Sequence, residues 1–302
     1  MSTQPLSVFV TGGNAGIGLA LCKQLAVDHG CRVFMGSRSL ERGEKALEEV
    51  KAFIKAKNGT GTVQLVQCDT SSDASVQAAS EQVKKILGSE QLYGVVNNAG
   101  TGLQHKGVTD LDIMNVNLAG PRRVCDAFLP LLQNGDARIV NVGSGAGPSY
   151  VRSLEAGELK KKMCRFPSEG GLSLDEVQNL GSESQAPALY SSGKGMGSYG
   201  LSKALLSCYT MALQESNDIV KQKNVIVSCI TPGFIDTAIV SGWGATKSPE
   251  EGTVSIRHCL FHEKVDNDKL GKGWFYGSDA VRSPLHFMRN PGEPAYDGKV
   301  PE

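Results

Sequence analysis

The chain has 302 residues with 31 Lys plus Arg against 31 Asp plus Glu, so it carries no formal net charge. That balance excludes nucleic acid as a main partner, because phosphate binding needs clustered positive charge. The hydrophobic fraction of 40% is too high for a disordered chain, and the length fits one α/β domain, residues 1–302, with roughly 50 residues to spare.

Leu6–Val10 reads as a short buried strand, followed by the glycine-rich run Thr11–Gly18 and a helical stretch from Leu19 to Val27. Arg32–Met35 is a second strand, 40–57 a charged helix, Val63–Cys68 a third strand ending at Asp69, and Ser75–Leu87 a third helix. Tyr93–Val96 is a fourth strand running into Asn97-Asn98-Ala99-Gly100; a helix covers 110–133, and Arg138–Val142 is a fifth strand. The pattern then breaks. Residues 146–198 are rich in Gly, Ser and Pro, with amphipathic pieces near 152–163 and 173–180. Helix resumes over 199–220, strands follow at 224–230 and 274–276, and residues 278–302 form a tail with little periodicity. Alternating strand and helix predict a doubly wound, Rossmann-type parallel sheet flanked by helices, with an insertion over 146–198.

Eight cysteines occur, none in a CxxC pair and none clustered with His at zinc spacing. They read as reduced thiols packed as small hydrophobes, with no metal site. The first residues lack the basic and apolar regions of a signal peptide, and no run approaches 18 apolar residues. The expectation is therefore a cytoplasmic protein with no membrane segment.

Glycines at 12, 13, 16 and 18 lie between a strand and a helix. Glycine there permits a tight turn and close approach of backbone to a pyrophosphate, while the helix start supplies free N–H groups. Strand two ends in Gly36-Ser37-Arg38, with no acid where a ribose 2′-hydroxyl would be read. Arg38 would instead attract a 2′-phosphate, which favours NADP(H) over NAD(H).

Tyr199 and Lys203 stand four apart, on one face of a helix. A nearby ammonium favours phenolate, so the Tyr199 proton leaves more readily and can pass to a carbonyl oxygen. Ser144 follows strand five, where a hydroxyl points into the ligand crevice and can hydrogen-bond a developing oxyanion. Asn117 lies in the fourth helix, where a buried amide needs a partner or a purpose. Met196, Phe234 and Trp243 lie near these motifs and are candidate walls of a substrate pocket. His105 and the Lys160-Lys161-Lys162 run read as surface groups.

Taken in order, Thr11-Gly12-x-x-x-Gly16-Ile17-Gly18, Asp69, Asn97-Asn98-Ala99-Gly100, Asn117, Ser144, Tyr199-x-x-x-Lys203 and Pro232-Gly233 make the chain resemble the short-chain dehydrogenase/reductases. The resemblance implies a seven-stranded sheet of order 3-2-1-4-5-6-7. It implies Tyr199 as general acid/base, Ser144 as carbonyl orienter, Lys203 on the nicotinamide ribose and Asn117 in a proton relay. Gly12, Asn14, Gly16, Ile17, Gly18, Ala99 and Gly100 would line the cofactor; Asp69 would meet the adenine and Asn97 would stabilise strand four. Ile235 and Thr237, after Pro232-Gly233, would meet the carboxamide. The 55 positions from Ser144 to Tyr199, with Thr11-Gly12-Gly13-Asn14 and Ala245–Gly252, are similar to the monomeric, NADPH-dependent carbonyl reductases of that family. This implies a small-molecule carbonyl substrate and a monomer, because the insertion covers a helix face that other members use for tetramers. Departures are Ala15 where a Lys is frequent, Thr231 where some carry Cys, and Phe234 in place of Trp. Two other readings are a dinucleotide-binding regulator that has lost catalysis and an NAD-dependent alcohol or hydroxysteroid-type dehydrogenase. The intact Ser144, Tyr199 and Lys203 oppose the first, and Arg38 opposes the second.

Overall fold

Short apolar runs and amphipathic segments assemble around one sheet in a computed structural model, which describes residues 4–102, 105–193, 196–240, 242–262 and 272–300. The first part runs β1 (Ser7–Val10), α1 (Gly16–Asp28), β2 (Arg32–Ser37), α2 (Leu40–Ala56), β3 (Thr62–Gln67), α3 (Asp73–Leu87) and β4 (Gly94–Asn97). Then come α4 (Asp110–Met114), a π-helical turn over Asn115–Ala119, α5 (Gly120–Phe128) and β5 (Arg138–Val142). Four short helices follow: α6 (Ala146–Ser153), α7 (Glu158–Met163), α8 (Leu174–Leu180) and α9 (Ala186–Tyr190). The last part is α10 (Gly197–Ser216), α11 (Asp218–Lys223), β6 (Ile226–Ile230), α12 (Val254–Phe261) and β7 (Phe275–Tyr276).

The seven strands pair in parallel in the order 3-2-1-4-5-6-7, as the sequence implies. Their side chains alternate between two cores. Phe9, Val95, Ile139 and Val227 pack with residues of α3, α5 and α10 on one face. Val8, Val10, Val96 and Val140 pack with Leu21 and Leu25 of α1 and with Ile256 and Cys259 of α12 on the other. Both faces are covered, which is why the strands read as unbroken apolar runs. Chain order reverses between β1 and β4, so the crevice beyond their C-terminal ends is the expected ligand site of such a sheet.

Three stretches differ from the sequence expectation. The helix expected over 110–133 ends at Phe128 and carries the π-turn. The helix expected over 199–220 breaks at Asn217, which is extended (ψ 124°) and accepts the Val220 N–H through its side chain, so it starts α11. Gly145-Ala146-Gly147-Pro148 reads as loop but opens α6; a Pro in the first turn is tolerated because its missing N–H has no helical partner there. Residues 194–195 of the expected insertion and 301–302 of the tail lie outside the described residues.

All eight cysteines are buried and unpaired. Burial pushes the thiols of Cys22, Cys31, Cys68, Cys125 and Cys259 up to about 12, which keeps them protonated and unreactive. Among the described residues no helix is long and apolar enough to cross a membrane, and no group of three or more metal-ligating side chains occurs.

Candidate active site

The β1–α1 loop is shaped by backbone. Gly12 has φ +64°, and a Cβ there would come 3.0 Å from the Ala99 Cα; a Cβ on Gly18 would come 2.3 Å from the Gly12 carbonyl oxygen. Only glycine fits this fold of the loop. Thr11 and Asn98 fasten it to the end of β4. The Thr11 hydroxyl accepts the N–H groups of Asn98 and Ala99, each at 3.0 Å, and the Asn98 side chain donates to the Thr11 carbonyl at 2.9 Å. Behind the loop, α1 starts at Gly16 with no side-chain cap and no acidic residue in its first turn. Its free amides and positive dipole end are left open to an anion.

The segment after β6 closes over the same loop. A Cβ on Gly16 would lie 3.4 Å from Thr237 Cγ2, and Ile17 and Ile235 both pack against Gly252. Gly233, at φ +91°, provides the turn after Pro232. Arg38 stands exposed just past β2, and Asn14 and Asp69 are half-buried. Asp69 accepts the Ser71 N–H at 3.0 Å and the Ser71 hydroxyl at 2.6 Å. Asn97, expected to stabilise strand four, is buried, and its amide donates to Asn141 Oδ1 of β5 at 2.8 Å and to Cys125 Sγ at 3.5 Å. It braces β4 against β5 from within the core rather than facing the loop.

Ser144, Tyr199, Lys203 and Asn117 come together at the ends of β4 and β5. The Tyr199 phenol is hydrogen-bonded with Ser144. Lys203 Nζ lies 5.9 Å from the Tyr199 ring centre and donates to the Val142 carbonyl at 2.9 Å. Asn117 is fully buried in the π-turn; its Oδ1 accepts the Thr101 N–H at 2.9 Å, and its Nδ2 donates to Thr101 O at 3.0 Å and to Ser202 Oγ at 3.2 Å. A Cβ on Gly100 would lie 3.4 Å from Asn117 Oδ1 and 3.7 Å from Lys203 Nζ, so Gly100 borders both groups. The π-turn places the amide there, and such turns recur at functional sites.

Electrostatics at the pair differ from the simple spacing argument. The Tyr199 phenol is raised rather than lowered: burial pushes it up, and the Ser144 hydrogen bond only partly opposes this. Burial also pulls Lys203 down to about 8, against an opposing influence from Cys229. A protonated phenol beside an amine that still mostly holds its proton, and begins to lose it just above neutral pH, is therefore the state of the pair.

Thr11 and Asn98 stand in the quoted motifs without a role of their own and fasten the glycine loop to β4; Ser202, which bonds Asn117, lies inside Tyr199-x-x-x-Lys203 and carries no sequence signal. Phe234, Trp243 and Met196 are exposed, with Met196 directly before α10. His105 holds the Thr101 hydroxyl through Nδ1 at 2.8 Å.

The family model described as short chain dehydrogenase matches residues 7–156. The (+)-neomenthol dehydrogenase of Arabidopsis thaliana is 30% identical over 92% of this chain and 97% of its own. The carbonyl reductase (NADPH) 1 of Homo sapiens is 30% identical over 80% and 86%. The chain belongs to the short-chain dehydrogenase/reductase family. The solved structure of salutaridine reductase from Papaver somniferum shares the fold, with a TM-score of 0.71 at 23% identity over 90% of this chain and 99% of that one.

As a short-chain dehydrogenase/reductase, the protein is an oxidoreductase of a family that uses a nicotinamide cofactor. The residues present fit such a group. The loop has room for a backbone approach where Cβ atoms would intrude, and the α1 start is uncapped. Arg38 follows β2 and Gly100 follows β4, on opposite sides of β1 in the sheet.

Proposed function

We propose that this protein reduces ketones, aldehydes or quinones to alcohols with NADPH. One observation carries the reading: Tyr199, hydrogen-bonded with Ser144, stands beside buried Lys203, whose Nζ borders Gly100 just past the Ala99 that packs on the glycine loop. The α1 amides would hold the pyrophosphate, Arg38 the 2′-phosphate, Asp69 the adenine, and Ile235 and Thr237 the carboxamide. A bound reduced nicotinamide supplies a hydride. The Ser144 hydroxyl orients the substrate carbonyl by donating to its oxygen. Tyr199 O–H passes its proton to that oxygen as the alcohol forms. The raised phenol suits this direction, because the acid is charged with its proton at neutral pH. Ser144 then stabilises the phenolate left behind, and Lys203 and Asn117 lie where a proton must return. The names of the human and Arabidopsis relatives support carbonyl chemistry, and the human name supports NADPH.

The test is consumption of NADPH and NADH with a panel of ketones, aldehydes and quinones. Tyr199→Phe should lower kcat by at least about 100-fold; a variant as fast as wild type would remove Tyr199 from the chemistry. Arg38→Ala should cut the NADPH-over-NADH preference in kcat/KM about tenfold, the loss of one charge-assisted contact. An unmoved preference would overturn the assignment of NADPH.

A further inference from the structure

Among the described residues the tail after β7 has no helix or strand, yet side-chain bonds tie it down. Arg289 is 4% exposed and grips Asp279 with both ends of its guanidinium, Nη1 to Oδ1 and Nη2 to Oδ2, each at 2.7 Å. Its Nε donates to the carbonyls of Glu293 and Pro294 at 3.1 Å, and its N–H donates to the buried Ser283 hydroxyl at 3.0 Å. The guanidinium thus ties together residues 279, 293 and 294, and the backbone N–H of the same residue adds Ser283. The geometry of a fork on a carboxylate is stringent, so the residue before Arg289 is held in place as well.

That residue is Met288. Its thioether lies over Gly145: a Cβ added to Gly145 would come 3.0 Å from Met288 Sδ and 3.2 Å from its Cε. Gly145 follows Ser144 directly, so the tail delivers an apolar side chain to the residue beside the one proposed to meet the carbonyl. Met288 remains 39% exposed and is open to a ligand. It is not alone. Met196 before the Tyr199 helix and Phe234 after Pro232-Gly233 are also large, apolar and exposed. Met196 stands at the same turn as Met288, since a Cβ on Gly200 would come 2.4 Å from Met196 Cβ and 3.4 Å from the Ala146 carbonyl oxygen; exposed apolar groups so placed mark a binding surface, and methionine adapts its shape to what it touches.

We infer that Met288 is a specificity-determining wall of the substrate site, held there by the Asp279–Arg289 clamp, and that it selects bulky apolar ketones over small ones. This deepens the proposed carbonyl reduction and rests on it. Met288 touches substrate; Arg289 acts through Met288 and is a positioning residue.

The experiment compares kcat/KM for a bulky alicyclic ketone (menthone) and a small one (cyclobutanone) in wild type, Met288→Ala, Met288→Leu and Arg289→Lys. The bulky-to-small ratio should fall about tenfold in Met288→Ala, the scale of one to two methylenes lost from an apolar pocket. Met288→Leu should restore most of it. Arg289→Lys, which keeps the charge but loses the fork, should lower the same ratio, whereas a merely structural role would lower both substrates alike. A ratio unchanged in Met288→Ala overturns the inference while leaving carbonyl reduction standing. A readout apart from turnover is oxidation of Met288 to the sulfoxide by hydrogen peroxide, followed by peptide mass spectrometry. Saturating menthone with NADP+ should slow it several-fold, and no protection speaks against the wall. A wild-type protein that reduces no carbonyl at all would instead overturn the parent reading.

Discussion

Lys203 is buried to 5% exposure with its ammonium on a backbone carbonyl, and burial lowers it from 10.5 to about 8. Between those values the unfolded chain holds a proton that the folded chain has released. Raising the pH through this window therefore favours the folded state at this residue. The buried thiols act oppositely: raised from 9.0 to about 12 at Cys22 and Cys259, they withdraw stability as pH rises above 9. Both effects separate in a comparison with Lys203→Met, which keeps the cysteines. Urea unfolding without added nucleotide should show wild type gaining on Lys203→Met between pH 8 and pH 10.5. A difference flat across that range would mean that the amine is not neutralised. At this scale the sequence was informative wherever spacing alone brings groups together, as for Tyr199 and Lys203 on one helix face. It was silent on the raised phenol, because desolvation belongs to packing and not to sequence neighbours.

Among elements, the seating of α6 on α10 decides the shape of the site. A Cβ on Gly147 would come 3.0 Å from both the backbone carbon and the backbone oxygen of Lys203. Two helices approach here at backbone distance, and Ser144 and Lys203 stand at either side of the contact. Gly147→Val must drive them apart. It should cost about 1–3 kcal/mol of stability by overpacking, with a loss of turnover larger than partial unfolding accounts for; urea unfolding paired with turnover at low denaturant measures both. A Val variant with wild-type turnover would mean that the contact does not set the site. The strands and long helices were legible because apolar period and buried faces are written locally. The π-turn around Asn117 was not, because it depends on Thr101 and Ser202, 16 and 85 positions away. Nor was the order of the tail, which comes from one guanidinium reaching across ten residues to Asp279 and leaves no periodic trace.

For the whole molecule, the surplus length beyond a simple α/β domain is spent on α6–α9 and on the tail. Leu154, Met163, Val177 and Ala186 of the inserted stretch share one core with Leu201, Leu205 and Cys208 of α10. Residues Gly200 to Leu213 are buried throughout, so this helix has little left to offer a second copy. We propose a monomer, and light scattering should give a mass near the chain's own 32.0 kDa; a stable dimer or tetramer would refute it.

The same threading bears on how the protein comes to be active. The Lys203–Val142 bond joins positions 61 apart and the Thr11–Asn98 bonds join positions 87 apart. Contact order at the site is therefore high, and loop closure must precede any of these bonds. The candidate site groups come from the π-turn, the end of β5 and α10, with the inserted helices packed between the last two, so competence depends on the packing of the whole domain rather than on one local motif.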